Sequence, residues 1–108
     1  MRSYQDFHLD QLQADRSRSY AEFLRRPGIS MGIYHIPTGG KDPQHPHDAD
    51  EVYVVLGGRA VLEVEGERVE VGPGRVVSVD RGADHRFTDV DDDLSVLVVF
   101  APPATPEA

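Results

Sequence analysis

Hydrophobic and polar residues alternate through the middle of the chain. Ala60, Leu62 and Val64 alternate with charged residues at positions 59, 63 and 65. Because every second side chain of a strand points to the same face, this pattern predicts a strand with one buried face and one solvent face. Val69 and Val71 continue the inward face beyond a glycine-containing tip, which predicts a hairpin.

A second hairpin is predicted closer to the N terminus. Its arms are Tyr20–Arg26 and Ile29–Ile36, and Pro27–Gly28 between them is typical of a tight turn. The composition of the first arm also suits a helix. The turn signal and the alternation of the second arm favour the hairpin.

Short strands broken by turn residues account for most of the remaining chain. Gly57–Gly58 and the acidic residues 91–93 are interpreted as turns, the latter solvated. The strands predicted around them are Glu51–Leu56, Val76–Val79, His85–Thr88 and Leu94–Phe100. This spacing is typical of an all-β sandwich or barrel, and the absence of intervening helical patterns disfavours a parallel α/β sheet.

The two ends of the chain differ from this middle region. Residues 1–19 are polar and charged, and Asp10 is a candidate N-cap for a short helix that would run to about Ser19. The tail Ala101–Ala108 contains three prolines among alanines, which predicts disorder. We therefore expect an N-terminal segment over 1–19, one β domain over 20–100 and a disordered tail over 101–108.

Composition narrows the possible partners and location. The chain has 108 residues, 11 basic and 19 acidic, and a formal net charge of −8, which argues against nucleic acid or an anionic membrane as a partner. It has no cysteine, so disulfides and thiol chemistry are excluded. No apolar run is long enough for a signal peptide or a membrane span, and we expect a cytoplasmic protein.

Metal-ligand residues cluster near the centre of the sequence. His45, His47 and Glu51 share parity, so on an extended chain they would lie on the same face of one strand. Imidazole and carboxylate together bind divalent transition metals well. His85 follows Gly82 on a separate predicted strand, from which it could approach the same metal across a barrel.

The spacing of these residues resembles the first motif of the cupin family. That motif is a glycine, five residues, His-x-His, three or four residues, Glu, six residues and a glycine. The chain has Gly39, His45, His47, Glu51 and Gly58 at this spacing. The match is complete, including both glycines.

The second cupin motif is matched in part. Gly74, Gly82 and His85 stand at its glycine and histidine positions. Asp80 replaces the usual proline and Asp89 the usual asparagine, neither of which is a metal ligand in the family. The resemblance covers roughly residues 29–100.

The resemblance implies both a fold and a cofactor. The implied fold is a double-stranded β-helix, the jelly-roll barrel of cupins, and the implied cofactor is one divalent ion of Fe, Mn, Ni, Co, Cu or Zn. The ligands that it implies are His45, His47, Glu51 and His85. His8 and His35 are not assigned to the metal. Small cupins pair as dimers, and we expect a homodimer in which Tyr20–Arg26 pairs with a second copy.

Further pocket residues are predicted from the rule that every second residue of a strand faces the same side. Phe87 shares the parity of His85, and Tyr53 that of Glu51, so both are expected to line the pocket. Tyr34 or His35, but not both, should point inward. No arginine or lysine is aimed inside, although Lys41, Arg59 and Arg75 could reach a rim.

A metal with open coordination positions in an apolar pocket favours oxidoreductase chemistry, of the dioxygenase type, on a small chelating oxygenated substrate. The complete ligand set disfavours the metal-free sugar-nucleotide epimerases of the superfamily, and the acidic chain disfavours sugar-phosphate isomerases. Two alternatives stay open, namely a non-catalytic module that binds a metal or small ligand, and a metal-dependent isomerase or lyase.

Overall fold

The computed structural model describes residues 3–16, 18–43 and 47–105. One short helix precedes six strands, and every pairing between strands is antiparallel. The elements are α1 (Leu9–Ala14), β1 (Tyr20–Arg26), β2 (Ile29–Ile36), β3 (Asp50–Val64), β4 (Glu67–Val71), β5 (Val76–Val79) and β6 (His85–Ala101). The predicted all-β fold and the predicted β1–β2 hairpin are confirmed.

Two long strands organise the sheet, whose order is β1-β2-β6-β3-β4. β3 pairs with β6 on one side, and on its other side its first half pairs with β5 and its second half with β4. The strands thereby wrap into a double-stranded β-helix around one core. β1 lies at the edge of this order, where the sequence predicted pairing with a second copy, and that association stays a prediction.

The interpretation of Gly57–Gly58 and residues 91–93 as turns is wrong. β3 and β6 continue through these positions without a break, and their pairing shows register shifts between Val55 and Val61. Gly58 has a φ of +86°, a conformation that favours glycine, and its backbone lies against that of Asp93. Residues that usually reverse a chain here bend two paired strands, as in a β-bulge.

The core consists of the inward side chains of these strands. Leu62 and Leu94 are fully buried, and Ala60, Val71 and Phe87 are nearly so. The predicted alternation therefore identified the inward face. Burying one such Leu or Phe side chain stabilises the fold by about 1.5–3 kcal/mol.

The N-terminal helix is shorter than predicted. It begins after His8 rather than at an Asp10 cap, and Asp10 lies in its first turn. It ends at Ala14 because the chain soon joins the sheet: the His35 N–H donates to the Ser19 carbonyl. Among the described residues, no helix has the length and apolar character needed to cross a bilayer.

The start of the tail is packed, which differs from the predicted disorder over 101–108. Ala101 ends β6 and pairs with Asp50. The Ala104 N–H donates to Ser30 Oγ at 2.9 Å, and the Ala104 carbonyl accepts from Arg25 Nη2 at 2.9 Å. Residues 106–108 lie outside the described residues.

The close approach of β3 to β6 predicts the effect of Gly58→Ala. A Cβ at Gly58 would lie 2.1 Å from the Asp93 carbonyl oxygen, in a backbone region that L-residues avoid. We expect the free energy of unfolding to fall by at least about 2 kcal/mol in urea denaturation. The matched control is Gly57→Ala, where a Cβ meets open space, and it should cost less than about 1 kcal/mol. Equal losses for both variants would contradict this account of the bend.

Candidate metal centre

Glu51 and His85 reach one point inside the barrel from opposite ends of the β3–β6 ladder. Glu51 is the second residue of β3, and His85 is the first of β6. The loop between β5 and β6 is fastened to the segment before β3. The Gly82 N–H donates to the His47 carbonyl at 2.9 Å, and the Arg81 N–H donates to Asp50 Oδ1 at 2.9 Å. These bonds hold His85 near Glu51.

Three side chains converge there with the geometry of a metal-binding group. Glu51 Oε2 lies 3.1 Å from His47 Nδ1 and 3.0 Å from His85 Nε2. One ligand atom from each residue lies within 4.8 Å of the other two. The His85 Nδ1–H donates to the Ala83 carbonyl at 2.8 Å, which orients the ring so that Nε2 faces Glu51.

Hydrogen bonds within the triad shift the pKa values of Glu51 and His85. Burial by itself would raise the pKa of Glu51, but hydrogen bonds with His47 and His85 lower it to about 2. Burial would lower the pKa of His85, but its hydrogen bonds to Glu51 and to the Ala83 carbonyl raise it above its ordinary value of 6.5. The carboxylate is therefore ionised at neutral pH, as a metal ligand must be.

The structure brings together three of the four residues predicted as ligands. His45 lies outside the described residues, so its place as a fourth ligand stays a prediction. The argument from strand parity is wrong for His47, because β3 begins only at Asp50 and His47 lies in the preceding loop. His47 approaches Glu51 because this loop is tied to Gly82, not because the two share a strand face.

Tyr53 and Phe87 are both buried beside the triad, but in different roles. The Tyr53 hydroxyl donates to Glu51 Oε1 at 3.1 Å, and its ring forms part of the cavity wall. Phe87 packs edge-on against Tyr53, with ring centroids 5.0 Å apart. Phe87 is not among the described residues that line the cavity, and its place in the pocket wall stays a prediction.

A buried carboxylate that the sequence did not single out ties two strands near the centre. Asp42 accepts from the Tyr34 hydroxyl at 2.5 Å and from the Phe87 N–H at 2.8 Å. Nothing in the spacing marks this loop aspartate as different from a solvated one. Tyr34 lines the cavity and His35 does not, as the either-or prediction required.

Two members of the triad, His47 and Glu51, line a cavity of about 240 Å³. Its described lining residues are Ser19, Tyr20, Tyr34, Pro43, His47, Glu51, Tyr53, Val98, Phe100, Ala104 and Thr105. They include no lysine or arginine, and the predicted rim residues Lys41, Arg59 and Arg75 are not among them. The wall is thus mostly apolar and aromatic, with Glu51 as its charged side chain.

Tyr20 contributes a hydroxyl that parity did not identify. Burial raises the pKa of Tyr20 well above its ordinary value of 10.0, and the charges of Glu22 and Glu51 raise it further. Within the described part of the chain, this buried hydroxyl has no hydrogen-bond partner. It is therefore protonated at neutral pH and able to donate a hydrogen bond.

Comparison with known proteins identifies a matching protein family. A model described as a cupin domain matches residues 32–100. An uncharacterized protein of Streptomyces coelicolor is 45% identical over 100 residues, which cover 90% of this chain and 95% of that protein. A solved structure from Bacillus halodurans superposes with a TM-score of 0.81 at 18% identity, covering 99% of this chain and 86% of the other.

Two more distant matches carry names of enzymes. The acireductone dioxygenase of Bacillus thuringiensis is 34% identical over 61 residues, which are 52% of this chain and 35% of that enzyme. The lyase DddQ of Ruegeria pomeroyi, described as a DMSP lyase, superposes with a TM-score of 0.69 at 26% identity. That match covers 84% of this chain and 51% of the lyase.

The ion pairs of the triad predict a pH dependence of the stability of metal-free protein. The contribution of Glu51 is complete above its ordinary pKa of 4.5 and is lost as the pH falls towards about 2. The contribution of His85 is complete below 6.5 and is lost as the pH rises through its raised folded-state pKa. Both are complete between 4.5 and 6.5.

The measurement is urea denaturation of chelator-treated protein at about pH 5.5 and about pH 8.5. The difference in unfolding free energy between wild type and His85→Gln should be larger at the lower pH. His8→Gln, at an exposed position, serves as the control and should show no such change. A wild-type minus His85→Gln difference that is the same at both values would contradict the assigned pair.

Proposed function

This chain belongs to the cupin family, and we propose that it is a metal-dependent oxidoreductase of the dioxygenase type that acts on a small substrate with two adjacent oxygen atoms. The observation that carries the proposal is the His47–Glu51–His85 triad, of which His47 and Glu51 line a mostly apolar cavity. A charged, ligand-rich point in an apolar wall is the arrangement expected where a metal orients a mostly hydrocarbon substrate.

The donor set fits a divalent transition metal. Two imidazoles and one carboxylate suit Fe, Mn, Ni, Co, Cu or Zn, and affinity alone does not select among them. His47, Glu51 and His85 would hold the ion, with His45 as the fourth ligand that the family motif implies. Such an ion would supply a Lewis acid with open coordination positions for oxygen ligands.

The chain's own residues would bind, orient and shield the substrate. Val98 and Phe100 supply apolar wall for the carbon skeleton and exclude water. Tyr53 fixes the orientation of the Glu51 carboxylate through its hydroxyl. The cavity of about 240 Å³ favours a small substrate. With no lysine or arginine among the described lining residues, a phosphorylated substrate is disfavoured.

The likeness to acireductone dioxygenase supports this reaction class, since it covers about half of the chain and the enzyme named is a dioxygenase. A metal-dependent lyase or isomerase is the second candidate, favoured by the structural likeness to a lyase. A binding module without turnover is the third. The three differ in whether oxygen is consumed and whether product forms.

Metal loading is the first test. Wild-type protein purified without chelators or a metal-affinity tag should carry about one divalent ion per chain, because the described residues form one such triad. His47→Ala should weaken metal affinity at least about 100-fold, since loss of even a supporting residue costs 10–100-fold. Elemental analysis and competition with a chromogenic chelator measure both quantities, and His8→Ala is the control. Equal affinities for wild type and His47→Ala would count against the site.

Oxygen consumption tests the reaction class. Protein loaded with Fe(II), Mn(II), Ni(II) or Cu(II) should take up oxygen with at least one enediol, β-diketone, catechol or flavonol in an oxygen electrode. Uptake should vanish in Glu51→Ala and His85→Ala and persist in His8→Ala, because only the first two remove metal ligands. Product formation without oxygen uptake would favour the lyase or isomerase. Tight binding with no turnover on any metal would favour the binding module.

A further inference from the structure

We propose that the Tyr20 hydroxyl is a ligand-recognition group of the cavity, which donates a hydrogen bond to a neutral oxygen of the substrate beyond the two that bind the metal. This inference rests on the proposed function, because it assumes a ligand held at the triad. It adds a residue from β1, outside both cupin motifs and outside the region that the family model matches.

The first observation is a buried donor without a partner. Tyr20 lines the cavity, and its hydroxyl oxygen is buried without a hydrogen-bond partner in the described ranges 3–16, 18–43 and 47–105. Leaving a buried hydroxyl unpaired is unfavourable, so proteins rarely keep one without a use. The neighbouring Tyr34 shows the contrast, because its hydroxyl is paired with Asp42.

The second observation is the space made for this ring. A Cβ at Gly32 would lie 2.4 Å from the Tyr20 hydroxyl oxygen, so any larger residue at this β2 position would displace the ring. Gly32 is not among the glycines with positive φ, and its backbone conformation therefore does not explain the choice. Glycine inside a strand weakens it and often marks a close approach. Here the approach sets the position of Tyr20.

The third observation is the packing of the Tyr20 ring against two aromatic side chains near the triad. Edge contacts hold it against Tyr34 and Phe100, with centroids 6.4 Å and 6.1 Å away. Phe100 in turn contacts His47, with centroids 5.2 Å apart. Tyr20 and Glu51 both line the cavity, and the negative charge of Glu51 contributes to the raised pKa of the Tyr20 hydroxyl.

These surroundings define the chemistry of the oxygen that would be recognised. A protonated phenol donates, so the ligand atom is an acceptor such as a carbonyl or hydroxyl oxygen. The Glu51 carboxylate and the absence of lysine and arginine from the described lining disfavour a free anion at this point. The substrate class is therefore a small chelator with a third, neutral oxygen.

The test compares probes with two and three oxygens on Co(II)-loaded protein, with binding followed by visible absorption. Catechol supplies two adjacent oxygens, while pyrogallol and 2,3-dihydroxybenzaldehyde add a third. The quantity compared is the ratio of the affinity for a three-oxygen probe to the affinity for catechol. For at least one three-oxygen probe, Tyr20→Phe should lower this ratio by about five-fold, the effect of one hydrogen bond. Gly32→Ala should lower the ratio similarly, because it displaces the ring while keeping the hydroxyl. Tyr4→Phe, at an exposed tyrosine, should leave it unchanged.

Thermal unfolding of the ligand-free protein separates recognition from a structural role. Tyr20→Phe should leave the midpoint unchanged or raise it, since it removes an unpaired hydroxyl, whereas Tyr34→Phe should lower it. A clear loss of stability in Tyr20→Phe would overturn the proposal, and so would equal relative affinities in wild type and Tyr20→Phe. If catechol fails to bind wild type, the chelating-substrate proposal falls and this one with it. If the five-fold effect is seen but no oxygen is consumed, only the reaction class is overturned.

Discussion

The curl of the β3–β6 ladder is the constraint on which the candidate centre depends. The ladder runs from the Asp50–Ala101 pair to the Val64–His85 pair. On a straight strand, the thirteen-residue offset between Glu51 and the partner of His85 would span roughly 45 Å. In the barrel the two side chains are 3.0 Å apart. The bulges around Gly58 bend the strands, and closure of the barrel brings the two ends of the ladder together.

Closure of the barrel places the Glu51 carboxylate in the buried interior, where a charged group is normally disfavoured. Glu51 is almost fully buried among apolar side chains, and an isolated charge there would be strongly unfavourable. His47, His85 and Tyr53 all hydrogen-bond to it, so its charge is compensated. Replacing such a buried network by apolar residues is often neutral or stabilising, so the network is weak evidence for a role in stability.

Sequence reasoning recovered what depends on local patterns. Alternation identified the inward face at Leu62, and the motif spacing selected His47, Glu51 and His85 without any structure. Errors arose where tertiary contacts override local signals. Gly57–Gly58 has the composition of a turn, yet pairing with β6 carries the chain through it as a bend. Phe87 has the parity of His85 and is buried as expected, but no periodicity can report that its ring packs edge-on against Tyr53. Asp42 is fixed by partners distant in sequence, and its loop position gave no signal.

The cavity wall is assembled from two sources that can change independently. The triad belongs to the stretch that the family model matches, whereas Tyr20 precedes that stretch and Ala104 follows it. Ala104 is fastened by Ser30 and Arg25 rather than by the loop that carries His47. Substitutions in these flanks can therefore remodel what the cavity admits while the ligand set stays intact.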